Sequence, residues 1–245
     1  MKLGSDRRVG LGRALSKMGF CSRSRAFELI REGRVRVNGE VRRNPESPVR
    51  KEDRIAVDGQ AVELGKRIYL MLNKKRGVVT TASDEKGRET VYAYLSDELP
   101  WVAPVGRLDK ASEGLLLLTN DSEWAARVLR PGMHLERTYH VQIRAVANAS
   151  LLEALRRGIE ADGEWLRAQR VRVLRGGAKN TWLEIVLDEG KNRQIRRMLA
   201  ASEVEVLRLV RVAIGPVELG GLQKGQVREL TRREKRLLGV IPLNS

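Results

Sequence analysis

The stretch PVGRLDKASEGLLLLTND, residues 104–121, sets Arg107, Asp109 and Lys110 directly before four leucines that only burial can accommodate. A loop carboxylate at the mouth of a buried strand is held by rigid structure yet reaches a cleft, which makes Asp109 a candidate for chemistry. By spacing alone, a lone loop aspartate is usually a turn or cap residue. A second segment, HLERTYHVQIRA, places Arg137 and Tyr139 two apart at the entry to an alternating strand, so both project from the same side. Tyrosine on a sheet face is commonly half-buried core. A third, LDEGKNRQIRRMLAAS, passes through Glu189-Gly190 into a helix whose Ile195, Met198 and Leu199 turn inward while Arg193, Arg196 and Arg197 crowd its start. Like charges at i, i+3 and i+4 repel, so an anion is expected beside them, either RNA phosphate or a protein carboxylate.

The elements that must position these groups follow from periodicity. From Tyr69 onward, YLMLNK and LLLLT read as buried strands, and YHVQIRA and WLEIVLDEG as half-buried ones. Helices lie between them: SEWAARVLRPG stops at Pro131-Gly132, SLLEALRRG opens with Ser150 and Glu153 in capping-box register and closes at Gly158, and Thr231 and Glu234 repeat that register at the last helix. Strands and helices without a strict strand-helix-strand period predict the α+β class, with a mixed, mainly antiparallel sheet and flanking helices. Ahead of this lie two short helices over residues 9–20 and 22–32, with Ser22 as cap and Gly33 as left-handed stop. RVRVNGEVRR then alternates about Asn38-Gly39, the signature of a hairpin with a type I′ turn, and residues 54–59 add a third strand. Residues 60–67 read as a linker, so the expected domains are 1–66 and 67–245.

Composition points to a polyanionic partner: the formal charge is +16, with 35 Arg against 12 Lys, and residues 1–66 hold 16 basic and 9 acidic side chains. No apolar stretch approaches the roughly 18 residues that span a bilayer, and no signal-peptide core is visible, so a cytoplasmic protein is expected. One cysteine, Cys21, excludes an internal disulfide and fits a reducing compartment as a buried apolar residue. The two histidines, His134 and His140, lack zinc-ligand spacing, and neither GxxxxGK[ST] nor GxGxxG occurs, so no metal and no nucleotide cofactor is expected.

CSRSRAFELIREGRVRVNGE follows, nearly position for position over Ser22 to Gly39, the pattern of the S-four-like RNA-binding domain. That resemblance makes residues 1–66 a small helix-hairpin RNA-binding domain and assigns RNA contacts to Arg23, Arg25, Arg34, Arg36 and Asn38. Behind it, LNKKRGVVTT (72–81), residues 104–121, ERTYHV (136–141), EGKNRQIRRM (189–198) and RLVRVAIGPVELGGLQKGQVRELT (208–231) together resemble the bacterial ribosomal pseudouridine synthases of the RsuA type. The resemblance implies a catalytic domain over 67–245 that isomerises a specific uridine in ribosomal RNA, with the large subunit favoured, by base flipping and without cofactor or metal. It assigns Asp109 as the essential aspartate, Tyr139 as the ring that stacks on the target base, and Arg196 as the partner of the aspartate. Arg107 would fill the space left by the extruded base, with Arg193 and Arg197 as further RNA contacts. Ribosomal RNA in ribosome assembly intermediates is the implied partner, met by a monomer. Three positions depart from the common family pattern: Lys75 where proline is frequent, Ser112-Glu113-Gly114, and Arg137 where lysine often stands. A catalytically silent RNA-binding or assembly factor, and a synthase acting on transfer RNA, are the alternative readings.

Overall fold

The computed structural model describes residues 8–63, 65–82, 84–130 and 135–239. It divides into two compact units, the first running up to Tyr69 together with Leu95–Ala103 and Leu118–Glu123, the second comprising the remainder. The expected helix stop at Pro131-Gly132, and His134, lie outside the described residues.

In the first unit, β1 (Val9–Gly10) leads into α1 (Leu11–Lys17) and α2 (Arg23–Arg31), followed by β2 (Val35–Val37), β3 (Glu40–Val41), β4 (Pro48–Val49), β5 (Ile55–Val57) and β6 (Gln60–Ala61). The Ser22 side chain accepts from the Arg25 N–H at 3.1 Å and so caps α2, while Gly33 takes φ +77° to end it. Asn38 and Gly39 both adopt positive φ, as a type I′ turn requires, and join β2 to β3. Strands pair antiparallel in the order β3-β2-β5-β6. The expected linker is therefore shorter than residues 60–67, because Asp58-Gly59 makes a second positive-φ turn that folds Gln60–Ala61 back on β5. Leu11, Leu15, Ala26, Leu29 and Ile30 from the helices bury against Val35, Val37, Ile55 and Val57. Cys21 is half-buried at the margin of this core, and burial pushes its thiol up to about 11.

The second unit is organised by one sheet. The remaining elements are β7 (Tyr69–Lys74), β8 (Ala103–Val105), β9 (Glu113–Thr119), α3 (Ser122–Leu129), β10 (Arg137–Ile143), α4 (Ala149–Arg157), β11 (Ile159–Ala161), β12 (Glu164–Leu166), β13 (Arg170–Gly176), β14 (Thr181–Leu187), α5 (Gln194–Ala201), β15 (Val206–Ile214), β16 (Val217–Glu218), β17 (Val227–Glu229) and α6 (Arg232–Gly239), of which β7, β8, β9 and α3 each have one end counted with the first unit. The sheet runs β13-β14-β10-β15-β9-β7-β17, with β16 on β15 and β8 on β9. The β15/β9 pair is parallel, whereas β10/β14, β10/β15, β13/β14 and β7/β17 are antiparallel, which is the mixed, mainly antiparallel sheet expected.

Alternation on β10, β14 and β15 turns Val141, Ile143, Leu183, Ile185 and Leu209 to one face. Leu155 of α4 and Ile195, Met198 and Leu199 of α5 cover that face and complete the core. Helix α6 starts with a reciprocal capping box: Glu234 N–H donates to Thr231 Oγ1 at 3.1 Å and Thr231 N–H donates to Glu234 Oε2 at 2.8 Å. Helix α4 differs from expectation. Its cap is Asn148, whose side chain accepts from Leu151 N–H at 2.9 Å, so Ser150 falls inside the first turn. Among the described residues no helix is long and apolar enough to cross a membrane.

Candidate active site

Asp109 sits on the loop between β8 and β9, and several hydrogen bonds fix that loop. The Leu108 carbonyl accepts from Thr80 Oγ1 at 2.8 Å, the Lys110 carbonyl from Gly77 N–H at 2.8 Å, and the Asp109 carbonyl from Ser112 N–H at 3.0 Å. Beneath the loop, the fully buried Lys74 ammonium donates to the carbonyls of Ser112 at 2.8 Å and Lys75 at 3.0 Å. Burial pushes Lys74 down to about 8, against the opposing pull of Glu113 and Asp109. A side chain carried on so constrained a backbone has few places to go, and that of Asp109 points into a cleft of about 370 Å³.

Tyr139, Arg137, Arg107, Arg193, Arg196 and Arg211 line the same cleft. The three segments singled out in the sequence therefore converge. Arg137 and Tyr139 share one face of β10, as their spacing requires. Burial lowers the proton affinity of Arg137; the neighbouring Tyr139 opposes this and the positive charge of Arg211 adds to it.

The start of α5 distributes its arginines differently from expectation. Arg193, the residue preceding the helix, takes a left-handed conformation at φ 48° and brings Nη1 to 3.9 Å from Asp109 Oδ2. Among the described residues the cation paired with the carboxylate is thus Arg193 and not Arg196, because that backbone turn brings the 193 side chain to the loop. Arg196 instead donates from Nη2 to the Ala111 carbonyl at 3.0 Å, with its Nε buried and without a hydrogen-bond partner among the described residues. Burial and then the charge of Arg193 lower its proton affinity, while Asp109 attracts it through space. Arg197 turns away: it pairs with Asp162 at 2.7 Å and Glu164 at 2.5 Å and donates to the Ala161 carbonyl, so it fastens the β11/β12 hairpin to α5. The anion expected beside Arg197 is therefore protein carboxylate.

In the first unit, Arg34 is engaged by Asp58 and Glu32, Arg25 by Glu28, and Arg36 by the Gly39 carbonyl, all at the surface. The Asn38 amide donates to Asp53 and accepts from Arg54 N–H, which makes it a structural brace of the hairpin. Arg23 is exposed and lies 5.9 Å over the Phe27 ring.

Each family departure has a local role. Lys75 lies 5.1 Å over the Tyr94 ring. Ser112 supplies the carbonyl that takes Lys74, and Glu113, buried, binds Arg208 at 2.8 and 3.0 Å and Lys224 at 2.8 Å. Desolvation opposes ionisation of Glu113, but those bonds outweigh it and hold the carboxyl below its ordinary value. Gly114 takes φ +101°, and a Cβ there would meet the Arg211 carbonyl oxygen at 2.2 Å. Sequence reasoning missed Lys74, Glu113 and Arg211 as parts of the site. The signal lay in charges placed within or at the ends of apolar runs. Among the described residues no group of three or more His, Cys, Asp or Glu side chains gathers to hold a metal.

Known proteins with this pattern agree with one another. The S4 domain matches residues 11–55 and the RNA pseudouridylate synthase family matches residues 68–201. The chain is 40% identical over 228 residues to an uncharacterized RNA pseudouridine synthase of Aquifex aeolicus, covering 92% of each protein. It is 36% identical over 230 residues to the ribosomal large subunit pseudouridine synthase B of Bacillus subtilis, covering 93% of this chain and 94% of that one. A crystal structure of a pseudouridylate synthase superposes with a TM-score of 0.65 at 30% identity, covering 94% of this chain and 99% of the other. A mixed sheet with a carboxylate, a tyrosine and arginines gathered in one cleft, and likeness along nearly the whole sequence, place this chain in the RNA pseudouridylate synthase family.

Proposed function

We propose that the chain converts a uridine of large-subunit ribosomal RNA to pseudouridine, with Asp109 as the group that engages the ribose. The convergence of Asp109, Tyr139, Arg193 and Arg196 on one cleft carries this reading. Isomerisation must break the N1–C1′ bond, turn the uracil and rejoin it through C5. An ionised carboxylate serves this in one of two ways, by attacking C1′ or by removing the C2′ proton to give a glycal. Either route uses the carboxylate, and Arg193 Nη1 stands 3.9 Å from Asp109 Oδ2. The target base has to leave its stack, at a cost of a few kcal/mol, and the Tyr139 ring offers a face to receive it. Arg107, exposed at the cleft rim, is placed to occupy the gap in the RNA.

Residues 1–66 act as the RNA-binding domain, through Arg23, Arg25, Arg34 and Arg36, and residues 67–245 as the catalytic domain. Surface pairs such as Arg34–Asp58 are weak because solvent screens them, so phosphate can replace the carboxylate at little cost. The enzyme works as a cytoplasmic monomer on assembling large subunits. Its likeness to the Bacillus subtilis large-subunit enzyme supports that substrate over transfer RNA. The test is Asp109→Asn in a tritium-release assay on ribosomal RNA. Pseudouridine formation should be abolished with RNA affinity and melting temperature retained, and wild-type turnover by this variant would refute the assignment.

A further inference from the structure

Among the described residues, Arg211 is a buried charge that the steps above do not use. It stands on β15 directly across from Tyr139 on β10, and cross-strand partners of this kind hold their Cβ atoms about 4.5–5.5 Å apart on one face of the sheet. The residue is 4% exposed, lines the cleft that holds Asp109, and donates from Nε to the Leu115 carbonyl at 2.8 Å. Its Nη2 is buried and has no hydrogen-bond partner among the described residues. It forms no ion pair among them either: the buried Glu113 nearby is held by Arg208 and Lys224. Its positive charge adds to the burial that already lowers the proton affinity of both Lys74 and Arg137, so it sits among cations. A buried guanidinium with an unmet donor is costly, and the cost is offset when an anion or a strong acceptor enters beside it.

On the isomerase reading, such an anion arises during the reaction. When the C1′–N1 bond breaks heterolytically, its electron pair stays with the base and spreads from N1 over O2 and O4. After the base turns, C5 bonds to C1′, the C5 proton departs and N1 takes up a proton, so the process is a net isomerisation with no further reactant. We propose that Arg211 is a further catalytic residue: its guanidinium donates to a carbonyl oxygen of the uracil stacked on Tyr139 and stabilises the detached base as an anion. A charge-assisted donor fixed in a dry site before the reaction starts needs no reorganisation when the negative charge appears. Arginine also has no acceptor to offer, so a pyrimidine presenting an amino group at the same edge would be refused.

The experiment uses the full chain and transcripts of large-subunit ribosomal RNA made with UTP or with 5-fluoro-UTP, under single-turnover conditions, reading conversion as loss of the starting uridine or 5-fluorouridine by chromatography of the digested nucleosides; the fluorinated base, having no C5 proton to lose, keeps its fluorine once C5 is bonded to C1′ and takes up water across N1=C6. Arg211→Gln keeps an N–H for the Leu115 carbonyl but removes the charge. It is expected to slow conversion of uridine RNA about 100-fold, in line with losing one fixed donor to a developing anion. RNA affinity by filter binding should stay within about threefold, since an interaction made only in the transition state does not weaken the ground-state complex when it is removed. The fluorine makes the departing base a better anion, so on fluorinated RNA the penalty of the variant should shrink at least about tenfold, as expected when charge stabilisation is what was removed. An equal penalty on both RNAs, or unimpaired conversion of uridine, would overturn the proposal and leave Arg211 as a strut between β15 and β9. Wild-type conversion is measured in the same series. Its absence would overturn the isomerase reading itself and this proposal with it.

Discussion

Three arginines of the first unit and three of the cleft hold positive charge in opposite ways. Arg25, Arg34 and Arg42 lie at the surface, each beside a carboxylate, with side chains 40–49% exposed. Arg137, Arg196 and Arg211 are largely or partly buried, and their hydrogen bonds run to the carbonyls of Leu135, Ala111 and Leu115. A carboxylate neutralises its partner, whereas a carbonyl satisfies a donor and leaves the charge standing. The first arrangement suits phosphates that exchange with water and salt, where each pairing is weak and replaceable. The second stores an unbalanced field in a place of low dielectric, where one incoming negative charge is felt strongly. On the proposed function, binding and chemistry thus draw on the same residue type, and burial separates them.

That contrast breaks if the cleft arginines act only as adhesive. Arg196→Met keeps the length and packing of the side chain while removing its charge from the neighbourhood of Asp109. Single-turnover pseudouridine formation should fall about 100- to 1,000-fold, the range seen when one fixed electrostatic donor is removed, with RNA affinity within about threefold. A defect carried by affinity instead, with turnover intact at saturating RNA, would merge the two classes.

A smaller effect concerns stability. Lys74 releases its proton near pH 8 in the folded chain but only near its ordinary value of 10.5 when unfolded. Between those values the unfolded chain binds more protons, so stability rises with pH. Relative to Lys74→Met, wild type should gain about 2–3 kcal/mol of unfolding free energy between pH 7 and 10.5, at about 1.4 kcal/mol per pH unit of displacement. Urea titrations of both proteins across that interval measure it, and parallel curves would mean the ammonium is not desolvated.

The smallest change is expected in the first unit. Arg23→Ala with Arg36→Ala should lower the slope of log affinity against log salt by about 1 for each phosphate no longer neutralised and weaken binding several-fold at about 0.1 M salt. Turnover at saturating RNA should not change. A drop in turnover would show that the surface arginines shape the reacting complex.

Local chemistry made part of this legible in advance. Asn38-Gly39 and the Thr231/Glu234 box are dictated by backbone demands that few residues meet, and both appear as read. Asn148 displaced Ser150 as a cap because both side chains suit that role two residues apart, and periodicity does not resolve a boundary that finely. In the site, the gathering of Asp109, Tyr139 and α5 was legible from three segments with a known likeness. Which arginine meets the aspartate was not, since the positive φ of Arg193 decides it and arginine carries no sequence signal for that conformation. The placement of Arg211 opposite Tyr139 depends on a register shift between Thr138 and Tyr139, a property of two strands together that neither strand alone encodes.

Among the described glycines, Gly114 leaves the least room for a methyl. Since position 114 sits against the main chain of residue 211, even alanine would act as a wedge between two neighbouring strands and force one of them to yield. The strands so parted carry, on one side, the loop that presents the carboxylate and, on the other, the proposed electrostatic partner of the departing base. A missing Cβ thereby works as a spacer that sets how far the loop of Asp109 is held from Arg211.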